Sequence, residues 1–111
     1  MTTKFYQSQI DELNNCAGIC NYCIAACFQE DDVKMLTDCI QLDIDCAEMC
    51  SLTAGLLARG SKYAEPLLQV CADICNACAE ECGKHTHMDH CKACAEACKK
   101  CAAACEQMQS V

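Results

Sequence analysis

The spacing Cys-x3-Cys-x2-Cys-x3-Cys occurs twice in this chain, at Cys16, Cys20, Cys23 and Cys27 and again at Cys71, Cys75, Cys78 and Cys82. Intervals of three and four residues follow the turn of an α-helix, and at about 100° per residue each set falls within an arc of about 60°. Two further stretches vary the pattern. Cys39, Cys46 and Cys50 form the same ladder with its second rung missing, and Asp43 stands at the vacant position. Cys91, Cys94, Cys98, Cys101 and Cys105 share an arc of about 80°. The residues between the cysteines are largely Ala, Glu, Lys, Asp and Asn, so each cysteine stripe faces inward and the charge faces water.

This periodicity predicts four helices, at about residues 5–28, 33–59, from the turn holding Pro66 to residue 83, and 88–108. Asp31 or Asp32 is suited to cap the second helix. Gly60 is suited to end it in a left-handed conformation, and Pro66 fits the first turn of the third, where its missing N–H costs little. At 1.5 Å per residue the helices span roughly 30 to 40 Å. Joined by short links, they predict an all-α, antiparallel up-down-up-down four-helix bundle with a cysteine-lined core. No stretch alternates like a strand. The length of 111 residues suits one domain, residues 1–111. Antiparallel order then puts Cys27, Cys39, Cys82 and Cys91 near one end, and Cys16, Cys50, Cys71 and Cys105 near the other.

Sixteen cysteines in 111 residues is the content of a disulfide-stapled secreted module. Against that stand an N-terminus without an apolar signal segment and the presence of only four Gly and one Pro. A cytoplasmic address follows as the expectation, where thiols stay reduced and clustered cysteines bind metal or do redox chemistry. No apolar run is long enough to cross a bilayer. The net charge of −8 argues against nucleic acid and anionic membrane as partners, since both repel an acidic surface.

Free cysteine often serves as a small buried hydrophobe. Sixteen on four stripes would leave a core too small in volume to pack unless something fills it. A ladder of disulfides would need oxidising conditions and specific geometry. Soft thiolate ligands select Cu(I), Zn(II) or iron–sulfur clusters, and the ferredoxin spacing is absent. Zinc takes four ligands in a closed tetrahedron, whereas Cu(I) accepts two or three sulfurs and lets each thiolate bridge. Buried thiolates also need neutralising, which a monovalent ion achieves at on the order of one Cu(I) per cysteine. The expected function is therefore Cu(I) storage, with Zn(II) buffering or copper delivery by a chaperone as alternatives. An enzymatic role is not expected, because a catalytic thiol needs one exposed, activated site.

The two Cys-x3-Cys-x2-Cys-x3-Cys helices, the segment from Cys71 through Cys82 to His85 and the following His90-Cys-Lys-Ala-Cys-Ala-Glu-Ala-Cys98 closely resemble the bacterial copper storage proteins, over nearly the whole chain. The lack of an export signal matches the cytosolic branch of that family. The resemblance implies a four-helix bundle, a homotetramer and many Cu(I) ions held inside by cysteines. Asp43 at a rung and Met88 inside the His-rich loop depart from that pattern, leaving the copper count and the mouth geometry open.

His85, His87 and His90 lie between the third and fourth helices. His85 continues the stripe of Cys78 and Cys82, and His87 and His90 stand four residues before Cys91 and Cys94, so all three are candidate metal ligands at one mouth. Met35 falls one turn before Cys39 at the same end. Met88 lies off the stripe and would ligate only if its loop unwinds, while Met49 and Met108 read as packing. The second helix carries Leu36, Ile40, Leu42, Ile44, Met49, Leu52, Leu56 and Leu57 beyond its cysteine face. Such a spread predicts an apolar patch and hence a homo-oligomer.

Overall fold

The computed structural model describes residues 6–109. Helix α1 (Gln7–Cys27) is followed by α2 (Thr37–Ala58), α3 (Ala64–Cys82) and α4 (Asp89–Gln109). Each packs against its neighbour in sequence, and α4 closes the ring against α1. The result is the antiparallel bundle that short links between long helices predict. The expected start of the first helix at residue 5 lies outside the described residues, as do residues 1–5 of the segment read for an export signal. Among the described residues there is no strand, and no helix is long and apolar enough to cross a membrane.

The rod measures 48 × 20 × 19 Å, a width that two helix axes separated by about 8–10 Å would give. Its slenderness comes from the side chains at the seams. Cys16, Cys46, Cys71, Cys78, Cys94 and Cys101 are each followed directly by a buried alanine, namely Ala17, Ala47, Ala72, Ala79, Ala95 and Ala102. Cysteine fills the centre while alanine lets adjacent backbones approach. Larger apolar residues gather at one end, where Ile10, Leu13, Leu57, Leu68 and Met108 are buried. They plug the rod where α2 hands over to α3. At the opposite end the α1–α2 and α3–α4 links lie side by side.

The links differ from expectation in one respect. Val33–Leu36 is a 3-10 turn, and α2 proper begins at Thr37. The tighter winding turns Leu36 into the core and leaves Met35 exposed. It also removes the capping role expected of Asp31 or Asp32: Asp32 precedes the 3-10 turn without a side-chain cap bond, and Leu36 occupies the capping position of α2. Gly60 does end α2 as predicted. Its φ is 68°, its N–H donates to Leu57 O at 3.1 Å, and the N–H of Ser61 donates to Leu56 O at 2.9 Å. These are the paired bonds of a Schellman motif. Pro66 sits in the first turn of α3.

Of the apolar residues on the second helix and its lead-in, Leu36, Ile40 and Leu57 are buried within the bundle, and Leu42, Met49 and Leu56 are partly buried against it. Ile44 and Leu52 remain 39 % and 49 % exposed.

Candidate metal centre

All sixteen cysteines have no solvent-exposed surface, and all are free thiols. The helical period that put them on stripes also stacks them, because antiparallel helices bring sulfurs at one height from four walls. Neighbouring Sγ atoms lie between 3.2 Å (Cys39–Cys82) and 3.9 Å (Cys50–Cys71). These are contacts, well beyond a bonded S–S distance of about 2.05 Å.

The sulfurs do not divide into separate sites. Sets of four whose ligand atoms lie within 4.8 Å of one another include Cys16, Cys46, Cys50 and Cys75; Cys16, Cys20, Cys46 and Cys98; Cys20, Cys78, Cys94 and Cys98; and Cys50, Cys71, Cys75 and Cys101. Cys16, Cys20, Cys46, Cys50, Cys75 and Cys98 thus each belong to two of these sets. A closed tetrahedral zinc site uses its thiolates once. Overlapping sets instead suit an ion that lets one sulfur serve two metals.

The expected rungs are present with one offset. Cys39 and Cys82 meet at the link end, and Cys27 and Cys91 share a group there with Cys23 and His90. Toward the plugged end Cys50 faces Cys71, and Cys105 interacts with Cys101 and Cys71. Cys16, expected beside Cys105, instead contacts Cys46 and Cys98, each at 3.8 Å. The α1 stripe continues past it as Leu13 and Ile10, both buried, so apolar side chains take the height where a seventeenth ligand would stand.

Asp43 fills the missing rung of α2 rather than leaving a gap. Its side chain has no exposure, and Oδ1 accepts from the thiols of Cys78 at 3.1 Å, Cys94 at 3.2 Å and Cys82 at 3.5 Å. Oδ2 accepts from Cys39 at 3.8 Å. Burial pushes the Asp43 carboxyl up to about 7, because an ion in a low-dielectric interior loses its hydration. The same desolvation, reinforced by the neighbouring Cys27 thiol, pushes Cys91 up to about 11, and burial likewise raises Cys27. Without a bound cation these thiols keep their protons at neutral pH.

The three histidines are placed differently. His90, in the first turn of α4, turns Nδ1 toward Cys23 at 3.5 Å, Cys91 at 3.6 Å and Cys27 at 3.9 Å. Its Nε2 lies 2.9 Å from Glu30 Oε2. His85 Nε2 instead pairs with Glu81 at 3.3 Å, and His87 is exposed, its ring centroid 6.4 Å from that of His85. These two rings line an open depression of about 260 Å³ with Glu30, Asp31, Asp32, Met35, Leu36 and Met88. Met88 is half-buried against the core at the start of α4. Helical spacing points to the cysteines and His90, but not to Glu30, which is 60 residues from its partner and in a loop without periodicity. The paired alanines were legible as small residues, their seam role only in three dimensions.

Comparison with known proteins agrees with this architecture. The family model described as copper storage protein matches residues 2–110. An uncharacterized cysteine-rich protein of Bacillus subtilis strain 168, YhjQ, is 40 % identical over 105 residues, covering 95 % of this chain and 96 % of its own. The Cu(I)-bound copper storage protein BsCsp3 is 39 % identical with a TM-score of 0.90, covering 95 % of this chain and 98 % of its own. A cytosolic copper storage protein from Streptomyces lividans, solved with five coppers, is 38 % identical with a TM-score of 0.93 over 99 % of this chain and 96 % of its own. With its sulfur-lined bundle matched over almost its full length in both sequence and shape, the chain belongs to the copper storage protein family.

Proposed function

We propose that the chain is a cytosolic store of Cu(I), with its sixteen cysteines as the principal ligands and His85, His87 and His90 lining the mouth through which the ions pass. The observation that carries this reading is the overlap of the four-sulfur sets, which suits bridging thiolates throughout the tube. Each Cu(I) that binds displaces one proton from a thiol, so the interior stays neutral as it fills. Histidine nitrogen and the thioethers of Met35 and Met88 are weaker footholds at the surface, and the thiolates beyond them bind more strongly, which draws ions inward. The cytosolic assignment is supported by the likeness to the S. lividans protein so described. Catalysis forms no part of this reading, since every thiol is buried and a catalytic thiol must be reachable.

Residues 1–111 act as one storage domain in this reading, and four copies associate. The motive for association is the outer face of α2, where Ile44 and Leu52 stand exposed. Reduced, metal-free protein titrated anaerobically with Cu(I) is expected to bind on the order of one ion per cysteine and to release about one proton per ion. Saturation at one or two ions would remove storage in favour of delivery. Saturation at about four Zn(II) with preference over Cu(I) would make the protein a zinc buffer.

A further inference from the structure

Glu30 lies on no cysteine stripe, yet it is tied to the mouth at two points. Its backbone N–H donates to Cys27 O at 3.1 Å, holding it at the end of α1. Its carboxylate then crosses to the first turn of α4, where Oε2 lies 2.9 Å from Nε2 of His90. The histidine side chain is only 10 % exposed and the glutamate 39 %, so this contact is partly shielded from water. On the opposite edge of the ring Nδ1 faces Cys23, Cys27 and Cys91.

A carboxylate can only accept a hydrogen bond, so the proton of the neutral imidazole resides on Nε2 and the lone pair on Nδ1. With the proton on the other nitrogen, His90 would direct an N–H at three sulfurs and offer nothing to a cation. We propose that Glu30 is a positioning residue that fixes the tautomer and ring orientation of His90 and so presents Nδ1 to a Cu(I) ion among Cys23, Cys27 and Cys91. This rests on the Cu(I) reading of the tube. A carboxylate behind a ligating imidazole also raises the basicity of the metal-facing nitrogen. Binding at this group proceeds as Cu(I) replaces a thiol proton, which leaves to solvent, while the Nε2–H bond to Glu30 stays in place.

The test uses full-length protein with 15N-labelled histidine, in the parent and in Glu30→Ala and Glu30→Gln. In the metal-free parent the His90 nitrogens should show a protonated Nε2 and an unprotonated Nδ1. Glu30→Ala should lose that single tautomer and weaken Cu(I) at the mouth group by about 10-fold to 100-fold, the usual effect of removing such a partner. Glu30→Gln, whose amide oxygen still accepts from Nε2–H, should restore much of both. In a His90→Ala background, Glu30→Ala should have no further effect on mouth affinity. A Glu30→Ala protein that keeps the parent's tautomer and mouth affinity overturns the proposal, as does an equal loss of affinity in the absence of His90. Total copper bound by the parent reads the storage function separately: a parent that binds only one or two ions defeats that reading, whereas a filled parent with an indifferent Glu30→Ala defeats only the role of Glu30. Far-UV circular dichroism of each variant confirms that the helices are retained.

Discussion

At the residue scale, Asp43 stands apart as a buried carboxyl among thiols. It is a carboxyl with no exposure, held by thiols that donate to it from α3 and α4. Because burial raises its folded-state value to about 7, the metal-free native state binds this proton more tightly than the unfolded chain does. The contribution of this group to native-state stability is therefore fully present below about pH 4 and is lost as pH rises through about 7, amounting to up to about 4 kcal/mol. Asp43→Asn keeps the shape without the charge and should flatten the dependence. Urea midpoints of reduced apo-protein at pH 5 and pH 8 measure it, and equal midpoints for the parent would refute the argument. His90 invites a second test. His90 turns Nδ1 to the mouth thiols, whereas His85 and His87 line the depression outside them, so His90→Ala should slow Cu(I) loading and replacing His85, His87 and His90 together should slow it further. Stopped-flow loading under anaerobic conditions compares the variants with the parent, and a triple variant that loads as fast as the parent would place the mouth elsewhere.

At the scale of the element, each helix is written by a period, and each break by a different device. The α2 terminus depends on Gly60 at a φ of 68°, so Gly60→Ala should destabilise the metal-free protein by about 1–2 kcal/mol, read from urea denaturation. No change would mean that the link relaxes to another turn. The stripes were legible because a cysteine every three or four residues fits only one period, and the antiparallel order followed from link length. The α-helical start of α2 lies four residues beyond the expected one, because a 3-10 turn and an α-turn share the same apolar pattern at their junction, where only burial of Leu36 separates them. The offset of Cys16 escaped for a related reason. Periodicity fixes the face of a residue but leaves its height against the neighbouring helix to the packing of links and end plugs. Glu30 lies beyond both kinds of signal, since its partner is set by how two loops meet.

At the scale of the whole molecule, two consequences follow from a core made of thiols and alanines. The first is that much of the larger apolar surface lies off the axis. Ile44 and Leu52 on α2, with Val70 at 43 % exposure on α3, face outward where a copy of the chain can cover them. Light scattering should find a homo-oligomer of four, and Leu52→Glu should shift it to smaller species, whereas a monomeric parent removes the assembly. The second concerns what holds the rod together. Cysteine and alanine supply less apolar burial than leucine or isoleucine, so the metal-free bundle leans on the plug around Leu13, Leu57, Leu68 and Met108. Copper adds cross-links among four walls. The unfolded chain carries the same sixteen thiols and also binds copper, which subtracts from the gain, but only the fold holds sulfurs from all four helices in contact. One net site occupied at a thousandfold excess over its dissociation constant stabilises by about 4 kcal/mol, equivalent to a rise in Tm of about 16–30 °C for a domain near this size. Calorimetry of the reduced protein at increasing Cu(I) should therefore show the transition climbing by at least that interval before saturation. If the Tm of the filled protein matches that of the empty one, the folded tube holds copper no better than the loose chain, and its geometry is not what retains the metal.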